Sequence, residues 1–404
     1  MNNQNQTAKI LNQNPTAIEY RNFLSDVNDA FIDRAVEIEI LGTALIAEEN
    51  AVLVGPPGTG KSLLAETFAK ALQEKYFSYL ITRYTTPDEV LGHFSLKELK
   101  DNDAYVRQYQ NKLPDVSIAF LDEVFKASSS LLNSLLTILN ERKIDLGNGI
   151  RQKTPLRMVI GASNEYPFND ESLGALWDRW IFRKHVNGLD KPDQVIRLIT
   201  DKDIGKIASQ LDPQCVDALR QQRDQVDLTD VLDDIAKLHQ FLKAKGIYIS
   251  PRRWGKVAKV IKSRSVMAGR QKAKVEDMRI LSEVLWNKPE QRDDITGFLA
   301  ELCSSDLLAV IKLHDACIEV LEEFDVIDVM KREIENGGDL VIFSRKKKVI
   351  ENIHKDIMQY SHLAEPEIQR YIAKVTACLE FYRKAVYHGM MEEMDALNSL
   401  KSPV

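Results

Sequence analysis

Cysteine is scarce in this 404-residue chain. The four that occur, Cys215, Cys303, Cys317 and Cys378, are scattered and form no C-x-x-C pair. That argues against a disulfide scaffold or a zinc ribbon and fits buried apolar thiols in a reducing, cytoplasmic setting. The seven histidines fall into no metal-ligand spacing. No uncharged apolar run is long enough to span a bilayer. The N-terminal "MNNQNQTAKILNQNP" has no hydrophobic core of a signal peptide. It is rich in Asn and Gln, and a mobile tail is expected over 1–16. Positive charge is also short: the formal net charge is −6. No global basic field therefore recruits nucleic acid, although local basic patches stay open.

What is present is a chain of ordinary globular composition, 44% hydrophobic and 28% charged, long enough for two or three domains. Its most informative stretch is "LVGPPGTGKSLLAETFAKAL", beginning at Leu53. A short apolar strand leads into Gly55, Pro56, Pro57, Gly58, Thr59 and Gly60. Lys61, Ser62 and Leu63 then open a helical pattern. Glycines let successive backbone N–H groups converge on an anion, and the helix adds its free N–H groups and positive dipole end. The spacing fits G-x-x-x-x-G-K-[ST]: Lys61 is placed for the β- and γ-phosphates, and the Ser62 hydroxyl for Mg2+.

Short apolar strands are predicted at 51–54, about 77–82, 116–121, 157–161 and 180–184, with helical patterns between several of them. That alternation predicts an α/β fold with a parallel sheet, whose ligands sit beyond the carboxyl ends of the strands. "VSIAFLDE" ends in Asp122 and Glu123. Two carboxylates closing a buried strand need a cation or polar partners. Asp122 is the candidate metal ligand and Glu123 the candidate base for an attacking water. An N-cap pair for the following helix is the structural alternative. "RMVIGASNE" places Asn164 at another strand end, as a γ-phosphate or water contact or simply a turn residue. "LWDRWIFRK" holds Arg179 and Arg183. Arg179 is the candidate for stabilising transferring phosphoryl charge, with an ion pair to Asp178 as its alternative; Arg183 alternates with apolar neighbours and is expected to face outward. In "ISPRRWGKVAKVIKS", Ser250 reads as an N-cap and Pro251 as the first helical residue. Arg252 and Arg253 then stand where positive charge opposes the helix dipole, so an anion is expected in front of them, with two solvated arginines as the alternative.

Residues 143–158 read as a β-hairpin turned at Gly147-Asn148-Gly149, and 93–114 as a second insertion. Either contacts a substrate or packs subunits together. From 191 to about 290 the pattern is helical; "NKPEQRDD" at 287–294 reads as a linker. Three further helices are expected at about 305–336, 346–362 and 366–398, with Arg345 to Lys348 on a solvated face.

Taken together, these motifs resemble an AAA+ ATPase: Walker A over 55–62, Walker B at 118–123, sensor 1 at Asn164, an arginine finger at Arg179 and sensor 2 at Arg252. "TRYTTPDEVLGHFSLKEL", "LPDVSIAFLDEVFKASSSLLNSLLTILNER", "ASNE" and "LWDRW" are similar to the MoxR group and, within it, to RavA-like proteins. The resemblance covers about residues 17 to 290. It implies a nucleotide-binding α/β domain over 17–190, a helical lid over 191–290 and a C-terminal helical domain over 291–404. It further implies ATP and Mg2+, a homo-hexameric ring with nucleotide between subunits, remodelling of a protein client, and in many members a von Willebrand factor A-domain partner. RavA-like proteins carry a β-rich module inside their triple-helical domain; the joining segment here, about 336–346, is too short for one. A nucleic-acid translocase and a nucleotide-gated scaffold are the rival functions, the former favoured by Lys143, Arg151 and Lys153 on the hairpin.

Overall fold

The computed structural model describes residues 14–147, 149–169, 173–189, 191–201, 203–207, 209–303, 305–322, 341–361, 369 and 371–380. The chain divides into two compact units, Met1–Leu189 with Ile196–Thr296, and Asp190–Val195 with Gly297–Val404.

Nine strands occur in chain order within the described part of the first unit: β1 Ala51–Val54, β2 Tyr76–Leu80, β3 His93–Phe94, β4 Arg107–Gln108, β5 Ile118–Asp122, β6 Lys143–Asp145, β7 Arg151–Lys153, β8 Met158–Ser163 and β9 Phe182–His185. Five of them form one parallel sheet in the order β2-β5-β8-β1-β9. Its inner strands are nearly continuous apolar runs because helices cover both faces: β1 and β8 are buried at every position. The edge strand β2 mixes buried and exposed residues. β8 lies between β5 and β1, so the ends of these three strands are neighbours, and the loops that follow them open at one edge of the sheet. Gly161 permits this packing, since a Cβ there would fall 2.8 Å from the buried Trp180 ring.

The expected hairpin is present as antiparallel β6 and β7, with Lys143 opposite Lys153; Asn148 lies outside the described residues. The earlier insertion forms its own antiparallel pair, β3 and β4, around the helix Leu96–Asn102. The two insertions are joined: the Arg107 amide donates to Leu146 O at 3.1 Å, and Arg107 Nε to Asp145 O at 3.2 Å.

The helices Pro213–Asp224 and Pro251–Met267 pack on each other and on the N-terminal helices Pro15–Asp29 and Ala35–Ala47. Ion pairs reinforce that contact: Glu48 meets Arg223 at 3.2 Å and Lys259 at 3.1 Å. The tail expected over 1–16 lies outside the described residues through position 13; Asn14 already caps the first helix, accepting from the Ala17 amide. The segment 287–294 is not a linker. Its Asn287 carbonyl accepts Trp177 Nε1 at 3.2 Å, its side chain accepts Arg253 Nη1 at 3.0 Å, and the helix Glu290–Cys303 begins inside it. Polar composition misleads here because the polar groups are spent on packed partners.

Helices described in the second unit include Ser305–Glu322, Val341–Ile357 and residues 371–380. They share a core that includes Val310, Cys317, Ile350, Val375 and Cys378. The second helix starts five residues earlier than its expected start at 346; residues 323–340 and 381–404 lie outside the described part. Of the four basic residues from Arg345 to Lys348, Lys347 is paired with Glu351 at 4.0 Å. All four cysteines are buried, and no disulfide joins them. No helix among the described residues is long and apolar enough to cross a membrane.

Candidate functional site

β1 ends at Val54, and the chain turns through Gly58 and Gly60, both at φ +81°, before the helix Lys61–Ala71. Left-handed backbone of this kind suits glycine and aims the loop's amides toward one side. Lys61 is buried, and its ammonium donates to the loop's own carbonyls at Gly55 and Pro56, each at 2.8 Å. It also reaches Thr59 Oγ1 at 3.3 Å and Asn164 Oδ1 at 3.4 Å. Burial lowers its pKa, against the raising influence of Asp122 and Glu123. Leu63 is half-exposed at the start of the helix.

Ser62 Oγ donates to Asp122 Oδ2 at 3.2 Å. The Glu123 amide donates to Asp122 Oδ1 at 2.9 Å, with Glu123 in left-handed backbone at φ +52°. Asn164 Nδ2 donates to Glu123 Oε1, and Lys126 stands 3.3 Å from the same oxygen. Five sequence-predicted residues therefore form one circuit: Lys61 to Asn164 to Glu123, through the Glu123 backbone to Asp122, and back to Ser62. Neither Asp122 nor Glu123 caps the helix Ser129–Glu141; Ser128 does, accepting from the Leu131 amide. Among the described residues no group of three or more His, Cys, Asp and Glu could hold a metal by itself. A hydroxyl beside one carboxylate is instead the donor set that suits Mg2+ when substrate phosphates complete it.

The second cluster surrounds Asp178. Ser250 caps the helix Pro251–Met267 and Pro251 occupies its first turn. The anion in front of that helix, within this chain, is the Asp178 carboxylate. It accepts Ser250 Oγ at 2.9 Å, Arg252 Nη1 at 3.1 Å and Arg253 Nη2 at 3.0 Å. Arg252 remains half-exposed, while Arg253 is buried. Arg179 makes no ion pair with Asp178 among those present; it donates to Ala175 O, and its Nε is buried without a hydrogen-bond partner. Its pKa is lowered by burial and then by neighbouring Arg252.

Arg183 departs from expectation. It does not face outward but is fully buried, donating to the carbonyls of Trp180 at 2.9 Å, Trp177 at 2.8 Å and Trp286. Its guanidinium lies 4.4 Å above the Trp177 ring. Burial pushes its pKa well down. Alternation on β9 misleads because both faces of this sheet are covered.

Two further contributors escape a sequence reading. Arg34 donates to Thr59 O at 3.0 Å and Asn187 O at 2.9 Å, clamping the phosphate loop to the chain beyond β9. Tyr166, Phe168, Trp177, His185 and Trp286 form an aromatic group beside Asn164. The first lies too far upstream to suggest a link; the second is signalled only by its density of aromatic residues.

A parallel sheet carrying a phosphate loop, an acidic strand end and a polar strand end, followed by a helical lid, defines a P-loop ATPase of the AAA+ class. Residues 18–210 match the MoxR domain of the MoxR-vWA-beta-propeller ternary systems, and residues 230–299 match an AAA lid domain. The uncharacterized protein MJ0812 of Methanocaldococcus jannaschii is 33% identical over 365 residues, which span 84% of this chain and 97% of that protein. The chaperone MoxR1 of Mycobacterium tuberculosis is 24% identical over 173 residues, 41% of this chain and 43% of that one. A solved structure of a candidate ATPase from Cytophaga hutchinsonii shares the fold, with TM-score 0.55 and 18% identity over 73% of this chain and 97% of its own. The chain belongs to the MoxR-type AAA+ ATPases.

Proposed function

We propose that this chain is a Mg2+-dependent, ATP-hydrolysing ring motor that remodels a protein partner. The observation that carries the reading is the circuit of Lys61, Ser62, Asp122, Glu123 and Asn164. Loop amides and Lys61 bind the β- and γ-phosphates once the ammonium exchanges its loop carbonyls for phosphate oxygens. Ser62 and Asp122 would hold Mg2+, which when bound neutralises charge on the phosphate oxygens. Glu123 orients the attacking water and accepts its proton; the Asn164 amide fixes that carboxylate and the water together. Arg179 serves the nucleotide of a neighbouring subunit, and Arg252 couples nucleotide state to the lid.

A homo-hexamer follows from the AAA+ resemblance, and the matched MoxR-vWA-beta-propeller description supports a von Willebrand factor A-domain partner. The RavA-like subgrouping rests on the wording of the motifs, and the cytoplasmic setting on four buried cysteines that no disulfide joins.

Glu123→Gln should retain ATP while phosphate release falls by roughly two to four orders of magnitude, the usual weight of a positioned base. Wild-type turnover in that variant would refute the role. ATPase rates should be insensitive to single- and double-stranded DNA; strong stimulation would favour the translocase, acting through the exposed Lys143, Arg151 and Lys153. An affinity pull-down with Glu123→Gln and ATP should recover the client.

A further inference from the structure

Trp177 ends the short helix Gly174–Trp177, immediately before Asp178 and Arg179. Its ring meets Phe125 edge-on with centroids 5.7 Å apart. It meets Tyr166 edge-on at 6.0 Å and Phe168 at 5.7 Å. Phe125 follows Glu123 by two residues, and Tyr166 follows Asn164 by two. One indole thus touches rings rooted in both segments that carry the water-handling side chains. Tyr166 is itself held on its far side, stacked on His185 with its hydroxyl 2.9 Å from Nδ1.

The ring of Trp177 also packs edge-on against Trp286 at 5.7 Å, and the polar contacts of Trp177 run toward the arginines. Its carbonyl accepts Arg183 Nη2, and its Nε1 donates to Asn287 O. The Asn287 side chain accepts from Arg253, which binds Asp178, and Asp178 holds Arg252. Trp177 is buried at 6% exposure, so its indole does not shift without displacing these neighbours. A displacement of the Glu123 or Asn164 segment is passed through Phe125 or Tyr166 to a residue whose own main chain continues into Asp178 and Arg179.

We propose that Trp177 is a positioning residue that couples the chain's own hydrolytic site to the Asp178–Arg179–Arg252 cluster, so that the state of one nucleotide sets the aim of the arginine presented to the next. The inference rests on the reading that Arg179 acts on a neighbouring subunit. Purely architectural packing of Trp177 would support the site without linking it to Arg179, and a double-mutant cycle separates the two.

The experiment measures ATP turnover and the Kd of a fluorescent ATP analogue for wild type, Trp177→Phe, Arg179→Ala and the double variant. Trp177→Phe should lower kcat by about tenfold while the nucleotide Kd stays within about twofold, a loss confined to the transition state. In the Arg179→Ala background the same substitution should have no further effect. Tyr166→Leu, which leaves Trp177 in place, should show the same non-additivity and serves if Trp177→Phe does not fold. Equal fold-losses in both backgrounds, or full turnover in Trp177→Phe, would overturn the coupling. Full turnover in Arg179→Ala alone would instead remove the underlying reading of Arg179.

Discussion

Gly55 closes β1 and opens the phosphate loop, and its replacement by alanine tests how that loop is held. A Cβ at this position would lie 2.2 Å from the Val186 carbonyl oxygen, 3.1 Å from its carbon and 3.3 Å from its nitrogen. These are backbone atoms, so no side chain can swing aside. Val186 is itself bonded through its amide to Val54 O at 2.8 Å, and the Gly55 amide to Ser163 O at 3.1 Å. Relief requires the end of β1 and the chain after β9 to part by roughly 1 Å, an overpacking that costs about 1–3 kcal/mol. Loss of the Val54–Val186 hydrogen bond adds about 1–3 kcal/mol. The sum, roughly 2–6 kcal/mol, corresponds to a fall of about 4–24 °C in Tm for a unit of this size. Gly58→Ala is the control. Its φ is +81° but nothing lies within 4 Å of the added carbon, so only the left-handed penalty of about 1–2 kcal/mol applies. Calorimetry without nucleotide keeps phosphate binding out of the comparison. A Gly55→Ala protein that melts within about 2 °C of wild type, or above Gly58→Ala, would refute the close approach.

Arg179→Ala should hydrolyse slowly alone, yet mixing it with Lys61→Ala subunits should recover some activity at interfaces that pair an intact Lys61 with an intact Arg179; no recovery in rings shown to mix would refute action between subunits. Arg183→Met should destabilise the first unit by roughly 3 kcal/mol or more, because three buried carbonyls lose a charged donor; urea unfolding checks this, and a neutral result would refute it. Burial raises the Glu48 pKa, but Arg220, Lys259 and Arg223 outweigh it and hold the carboxyl down at about 2. Its contribution is therefore present above the ordinary carboxylate pKa and lost as pH falls toward about 2. Because Glu48 is partly exposed, Glu48→Gln should cost only about 1 kcal/mol at pH 7, and the cost should shrink on acidification; a cost that grows instead would contradict the sign.

The parts legible in sequence are those whose cause is local. The phosphate loop declares itself because turn, lysine and helix start lie within eight residues, 55–62. The five sheet strands are visible as apolar runs, and Ser250-Pro251 as a helix start, because neighbouring residues supply the reasons. Chain order could suggest that Asp122, Glu123 and Asn164 end strands, but not that β8 lies between β5 and β1 and so closes their circuit with Lys61.

Tertiary structure alone decided where the arginines went. Arg183 was expected in solvent because its strand alternates, yet the carbonyl of Trp286, 103 positions away, lies over it. Arg252 called for an anion, and the fold supplies Asp178 from 74 positions upstream. Arg34 reaches Asn187 across 153 positions. Composition and periodicity report what a residue needs, a partner for its charge or cover for its apolar surface. Which distant backbone satisfies that need depends on how the elements pack, and no window along the chain contains both halves of such a contact.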